Sequence, residues 1–244
     1  MIHPTNSRSE AGWVVIVPVK RLELAKSRLG DTPPGRRRKL ALAFALDTVG
    51  AAQACVGVAA VVVVTDDPHV RREVLDMGSD TIGDQPNAGL NPALAHAARE
   101  IRTLTADVGL VAVSADLPSL RTDELDAFLD AVDREGPGRY FVRDVSGTGT
   151  TVLAATSGLP LSPAFGGRSA ARHVRSGALH PVLTPASTAT LRRDVDTDVD
   201  LWDAIRLGVG RHTSHALALG RASKIDGPTP YGGRAVDPAC RCVV

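Results

Sequence analysis

Three carboxylates stand where an α/β sheet would offer them to a ligand. Asp116 lies in Ser114-Ala-Asp-Leu-Pro118, directly after the apolar run Val108–Val113, and Asp194 and Asp196 lie in Asp194-Val-Asp-Thr-Asp-Val-Asp-Leu201. Residues i and i+2 of an extended segment share a face, so Asp194 and Asp196 are expected to point to one side. Thr197 is the natural cap of the helix that follows, with Asp198 and Asp200 in its first turn, and Thr122 is the better cap after Asp116. The three acids are thereby left without a local duty, although capping and an ordinary solvated acidic run are the competing readings. Carboxylates at strand C-termini face the crevice where ligands bind. Hard oxygen donors gathered there suit Mg²⁺, the partner of phosphate chemistry, and two ions are expected.

A complementary charge follows the first apolar run, Trp13–Val19. The segment Pro18-Val-Lys20-Arg-Leu-Glu-Leu-Ala-Lys26-Ser-Arg28-Leu29 carries neither GxxxxGK[ST] nor GxGxxG. Cationic side chains must then do much of the phosphate neutralisation. Lys20, Lys26 and Arg28 are the candidate catalytic cations for a triphosphate, with Lys26 nearest the reacting phosphorus. A solvated basic loop is the alternative. Pro18, Lys20, Lys26, Asn91 and Asp116 form the candidate nucleotide-binding set, Asn91 being also readable as a helix N-cap. A third group, Gly147-Thr-Gly-Thr-Thr151 with Phe165-Gly-Gly-Arg-Ser169, offers glycines that let backbone N–H groups approach an anion. A small carboxylated, phosphorylated acceptor would fit there, and plain turn chemistry would explain it equally well.

The elements that must position these groups read as alternating strands and helices. Trp13–Val19, Ala59–Val64 and Val108–Val113 are apolar, β-branched runs of the kind buried in parallel sheets. Helical patterns cover Arg36–Ala54, His69–Met77, Asn91–Thr105, Thr122 to about Arg134, Gly167–Ser176 and Val199–Leu207. Arg139–Arg143 and Thr150–Ala155 read as a hairpin, and His180–Leu183 and Thr190–Arg193 as short strands. The expected fold is therefore α/β, a Rossmann-like, mixed but mostly parallel sheet flanked by helices. One domain is expected over 13–209, after a flexible N-terminus (1–12) and before a disordered or loosely attached tail (210–244) rich in Gly, Pro, His and Ser.

Composition excludes several classes. A net charge of +1 gives no nucleic-acid or membrane surface, and no apolar run approaches transmembrane length. The polar N-terminal stretch points to the cytoplasm. Three cysteines make no disulfide framework, and the histidines lack HxH or HExxH spacing. Lysine occurs only at positions 20, 26, 39 and 224. With abundant Ala and Val, this arginine bias suits a high-GC genome.

The stretches VVIVPVKRLELAKSRL, SADLP, GTGTT, FGGRSA and DVDTDVDL, in that order, resemble the guanylyltransferases of deazaflavin coenzyme F-420 biosynthesis, relatives of the molybdenum-cofactor nucleotidyltransferases. The resemblance runs from about Val14 to Leu207. It implies a nucleotidyltransferase fold with Mg²⁺ held at Asp116, Asp194 and Asp196, and an acceptor pocket at Thr148 or Thr150, Gly166 and Ser169. It also implies coupling of GTP to phosphoenolpyruvate or 2-phospho-L-lactate with release of pyrophosphate, and a downstream transferase that takes the product. Asp198-Val199 stands where relatives often carry Pro-Glu, beyond the acids that matter. The expected activity is a Mg²⁺-dependent guanylyltransferase, with phosphoenolpyruvate favoured because the composition looks actinobacterial. The rivals are a nucleotidyltransferase for 3-phosphoglycerate, the molybdenum cofactor or a sugar phosphate, and a non-catalytic GTP sensor.

Overall fold

The computed structural model describes residues 12–24, 29 and 32–225. Six strands, β1 (Trp13–Pro18), β2 (Val58–Val64), β3 (Asp80–Ile82), β4 (Gly109–Val113), β5 (Arg139–Arg143) and β6 (Thr150–Ala155), form one sheet in the order β3-β2-β1-β4-β6-β5. β1 pairs in parallel with β2 and β4, and β2 with β3, whereas β6 runs antiparallel to both β4 and β5. The α-helices among the described residues are α1 (Pro34–Gln53), α2 (Pro68–Asp76), α3 (Leu90–Leu104), α4 (Thr122–Glu135), α5 (Ser169–Arg175), α6 (Asp198–Leu207) and α7 (Arg211–Ile225). None of these helices is long and apolar enough to cross a membrane.

β1 is apolar throughout because both of its faces are covered. Trp13, Val15 and Val17 join a core layer with α1, α2 and α4, while Val14 and Ile16 join the layer under α3 and α5. Burying each such side chain is worth about 1.5–3 kcal/mol relative to leaving it in water. The Trp13 ring lies against β4 where a Cβ on residue 109 would come within 2.5 Å of it, so that position requires glycine. From β1 the chain moves to β2 and β3 on one side and then crosses to β4 on the other. The strand order reverses between β1 and β4, and the C-terminal ends of these two strands frame the crevice.

The expected sheet, hairpin and main helices are present, with several local corrections. His180–Leu183 and Thr190–Arg193 are not strands; that region makes only an isolated bridge between Tyr140 and Leu179. β3 joins the sheet edge without an apolar run to announce it. Thr122 is the first residue of α4, not its cap, and its hydroxyl donates to Ala51 O (3.2 Å). The largest correction concerns the expected tail. Residues 211–225 form helix α7, which packs on α1 through Ala216 and Leu217 beside Leu40, Phe44 and Ala204. Residues 1–11 and 226–244 lie outside the described residues.

Candidate active site

The basic loop leaves the end of β1. Pro18 closes the strand, the N–H of Val19 donates to Val64 O (2.9 Å), and Lys20 is exposed beyond it. Lys26 and Arg28 lie outside the described residues. Asp67, at the end of β2, anchors the loop: one carboxylate oxygen accepts from Leu22 N (2.9 Å), the other from His69 N and Val70 N at the start of α2. Burial raises its pKa, but those three N–H groups outweigh burial and hold it below the ordinary range. A cleft of about 780 Å³ opens beside this anchor, lined by Arg21, Glu23, Arg38, Lys39, Asp66 and His69 among others.

Across the crevice, the acids are brought together by backbone stitching. Asp116 O accepts from Val195 N (3.0 Å), which ties the loop after β4 directly to the 194–196 segment. Leu117 N donates to the hydroxyl of Thr48 on α1 (3.3 Å), and Ser114 N to Thr151 O on β6 (2.8 Å). Val195 is fully buried among Leu29, Phe44 and Ala204. Its neighbours Asp194 and Asp196 remain partly exposed, as alternation predicts. Asp194 is pushed up to about 7, first by burial and then by the charges of Asp116, Asp196 and Asp144. Asp194 therefore lies within reach of the charges of the other two acids named from sequence, and of Asp144, which sequence did not single out. Among the described residues no group of three or more His, Cys, Asp or Glu side chains is placed to hold a metal ion. Thr197 caps α6 as expected, in a reciprocal box with Asp200.

The third group assembles where the start of β6 meets α5. Thr150 is buried on β6, and its hydroxyl meets Ser169 Oγ (3.0 Å) and His173 Nδ1 (2.9 Å). Thr148 is exposed and pairs with Ser146 Oγ (2.7 Å). Gly166, at φ 108°, begins the turn into α5. The backbone N–H of Ser169, expected to hold an acceptor, donates instead to Gly166 O (3.0 Å). Asn91 is not a helix cap, since Gly89 holds that position. Its amide brackets Phe165, donating to the carbonyl (3.0 Å) and accepting from the N–H (2.7 Å), so most of it is engaged in shaping the loop. Arg172 adds bonds to the carbonyls of Ala164, Phe165 and Gly167.

Two buried groups escaped sequence reasoning. Glu124 on α4 accepts from Thr190 N (2.8 Å) and Leu191 N (3.2 Å), while Thr151 Oγ1 donates to Leu191 O (2.6 Å). Together they set the approach of the chain to Asp194. His173 is the second, fully buried beside Phe141 and Phe165. A carboxylate followed by apolar helix spacing, or one histidine in a short helix, carries no local sign of such partners.

A switch-point crevice between β1 and β4, with Lys20 on the loop after one strand and Asp116 on the loop after the other, is the setting of a nucleotidyltransferase. The fold is shared with 4-diphosphocytidyl-2C-methyl-D-erythritol synthase (TM-score 0.51, 11% identity, covering 82% of this chain and 99% of that one). The chain belongs to the family described as "Guanylyl transferase CofC like", whose model matches residues 13–219. It is 49% identical over 227 residues to the phosphoenolpyruvate guanylyltransferase of Salinispora arenicola, covering 92% of this chain and 98% of that protein. It is 47% identical over 207 residues to the enzyme of the same name from Streptomyces coelicolor, covering 84% and 96%.

Proposed function

We propose that this protein transfers the GMP moiety of GTP to phosphoenolpyruvate, releasing pyrophosphate and forming enolpyruvyl-2-diphospho-5′-guanosine. The observation that carries the reading is 49% identity across 98% of a relative of that name. The product joins two phosphates in an activated linkage, which suits it as the donor for a downstream transferase.

A phosphate oxygen of the acceptor attacks the α-phosphorus of GTP in line. The new P–O bond forms as the bond to the bridging oxygen of the β-phosphate breaks, and pyrophosphate leaves with that electron pair. The attacking oxygen is already anionic, so the step needs no general base. Positioning and charge neutralisation carry the rate. Lys20 lies on the loop that leaves β1, and Lys26 and Arg28 belong to the same basic stretch; their role is to neutralise the departing pyrophosphate. The Thr150 hydroxyl and the turn at Gly166 receive the acceptor carboxylate.

Asp116, Asp194 and Asp196 would supply oxygen donors to a hard cation, whose charge would relieve the repulsion that raises the Asp194 carboxyl. Mg²⁺ commonly takes only one or two carboxylates and completes its shell with water and substrate phosphates, so it does not require three protein ligands in one group. Bound there, Mg²⁺ would neutralise phosphate charge and align the two substrates.

The test is pyrophosphate release from GTP and Mg²⁺, run in parallel with phosphoenolpyruvate, 2-phospho-L-lactate, 3-phosphoglycerate and no acceptor, with products identified by mass spectrometry. Release with phosphoenolpyruvate alone is expected. Equal or better turnover with another acceptor would overturn the substrate assignment, and GTP binding without turnover on any of them would favour a sensor.

A further inference from the structure

The hydrogen atoms around His173 can be assigned from its partners. The backbone N–H of Ala164 donates to Nε2 (3.0 Å). A backbone amide can only donate, so Nε2 is the unprotonated nitrogen, and Nδ1 carries the proton in the neutral ring. Burial first, then the charges of Arg172 and Arg139, push its pKa down to about 4, which keeps the ring neutral. Nδ1–H therefore donates to Thr150 Oγ1 (2.9 Å), which also receives the Ser169 hydroxyl (3.0 Å).

A threonine hydroxyl has two lone pairs and one hydrogen. Both lone pairs of Thr150 are occupied, so its hydrogen has to be given away, and no described residue accepts it. Reversing the Thr150–Ser169 bond would only hand the surplus hydrogen to Ser169. The network thus leaves one hydroxyl donor beside the Gly166 turn, where an anionic ligand oxygen would complete it. Thr150 and Ser169 are both buried, which makes an unanswered donor there costly.

We propose that His173 is a positioning residue: by donating from Nδ1 to Thr150 Oγ1, it turns the Thr150 hydroxyl hydrogen toward the carboxylate of the acceptor. The inference rests on the acceptor pocket proposed above. It also accounts for a buried histidine that the transfer step does not use.

Two substitutions separate this role from a structural one. Asn places an amide near Nδ1 and can still donate to Thr150, but it loses the acceptor for Ala164 N–H. Gln places an oxygen near Nε2 and can still accept from Ala164, but it loses the donor to Thr150. His173→Gln should raise KM for phosphoenolpyruvate about tenfold while KM for GTP and kcat stay within about twofold, and His173→Asn should recover most of the loss. In a Thr150→Val background His173→Gln should add nothing further, because its effect runs through that hydroxyl. A wild-type KM in His173→Gln, with Thr150→Val impaired, would overturn the inference alone. A wild-type KM in Thr150→Val would overturn the pocket beneath it as well. Where the variants do not fold, ¹⁵N NMR of the histidines in the unsubstituted chain decides: Nδ1–H at His173 supports the proposal and Nε2–H overturns it.

Discussion

At the scale of single residues, the acids make the firmest predictions. Asp116→Ala and Asp196→Ala should each lower kcat by at least ~10²-fold, with circular dichroism and melting near wild type. Activity retained across a Mg²⁺ titration would remove those residues from the site. Asp194 supplies a second test, in the metal-free protein. Its folded pKa of about 7 lies above the ordinary 3.8, so the folded state holds an extra proton between those values. Stability should therefore fall as pH rises from about 4 to about 7, by roughly 1.4 kcal/mol for each pH step of one within that window, and the full cost should persist above 7. Asp194→Asn should remove that loss and melt several degrees higher at pH 8 with chelator present. His173, with its pKa lowered to about 4, contributes the opposite slope in both proteins and cancels in the difference. Parallel melting curves for the two proteins would dismiss the account. Added Mg²⁺ should stabilise the wild type far more than the Asn variant.

At the scale of elements, the decisive feature is how the irregular segment 190–196 is held. It has no strand of its own, and its shape comes from Glu124 on α4, Thr151 on β6 and the carbonyl of Asp116. Glu124→Ala leaves two buried N–H groups unpaired, each costing about 1–3 kcal/mol. That variant should unfold at lower urea and need more Mg²⁺ for half-maximal rate, because Asp194 and Asp196 lose their support. An unchanged Mg²⁺ dependence would confine Glu124 to stability. The same segment shows where sequence is readable. The Thr197–Asp200 capping box lies within one turn and was legible. Asn91 reads as a cap by residue type, yet its partner Phe165 is 74 positions away and draws it to another duty. Thr190–Arg193 has strand-like residues, but Glu124 and Thr151 occupy the backbone groups that a strand would have used.

At the scale of the whole molecule, α7 closes the structure over the back of the acidic wall. Its N-terminus is capped by Asp47 on α1, whose carboxylate accepts from His212 N and Thr213 N (both 2.9 Å), while Gly210 N donates to Pro118 O (2.9 Å). A Cβ at position 210 would meet Asp47 at 2.4 Å, so this approach requires glycine. Asp47→Ala should cost about 1–2 kcal/mol as a lost cap, which for a chain of this size lowers Tm by about 2–4 °C per kcal/mol. An unchanged calorimetric Tm would show that α7 docks without it. By itself the sequence determined β1, β2, β4, β5 and β6, the main helices and the five motif stretches. Each of those depends on periodicity or on residue types within a few positions. Only the tertiary structure decided that α7 is a helix, that Asn91 and Ser169 N–H serve the loop, and which partners His173 and Glu124 hold. Their partners lie on other elements, up to 166 residues away, and a buried hydrogen bond at such separation leaves no pattern in the local sequence.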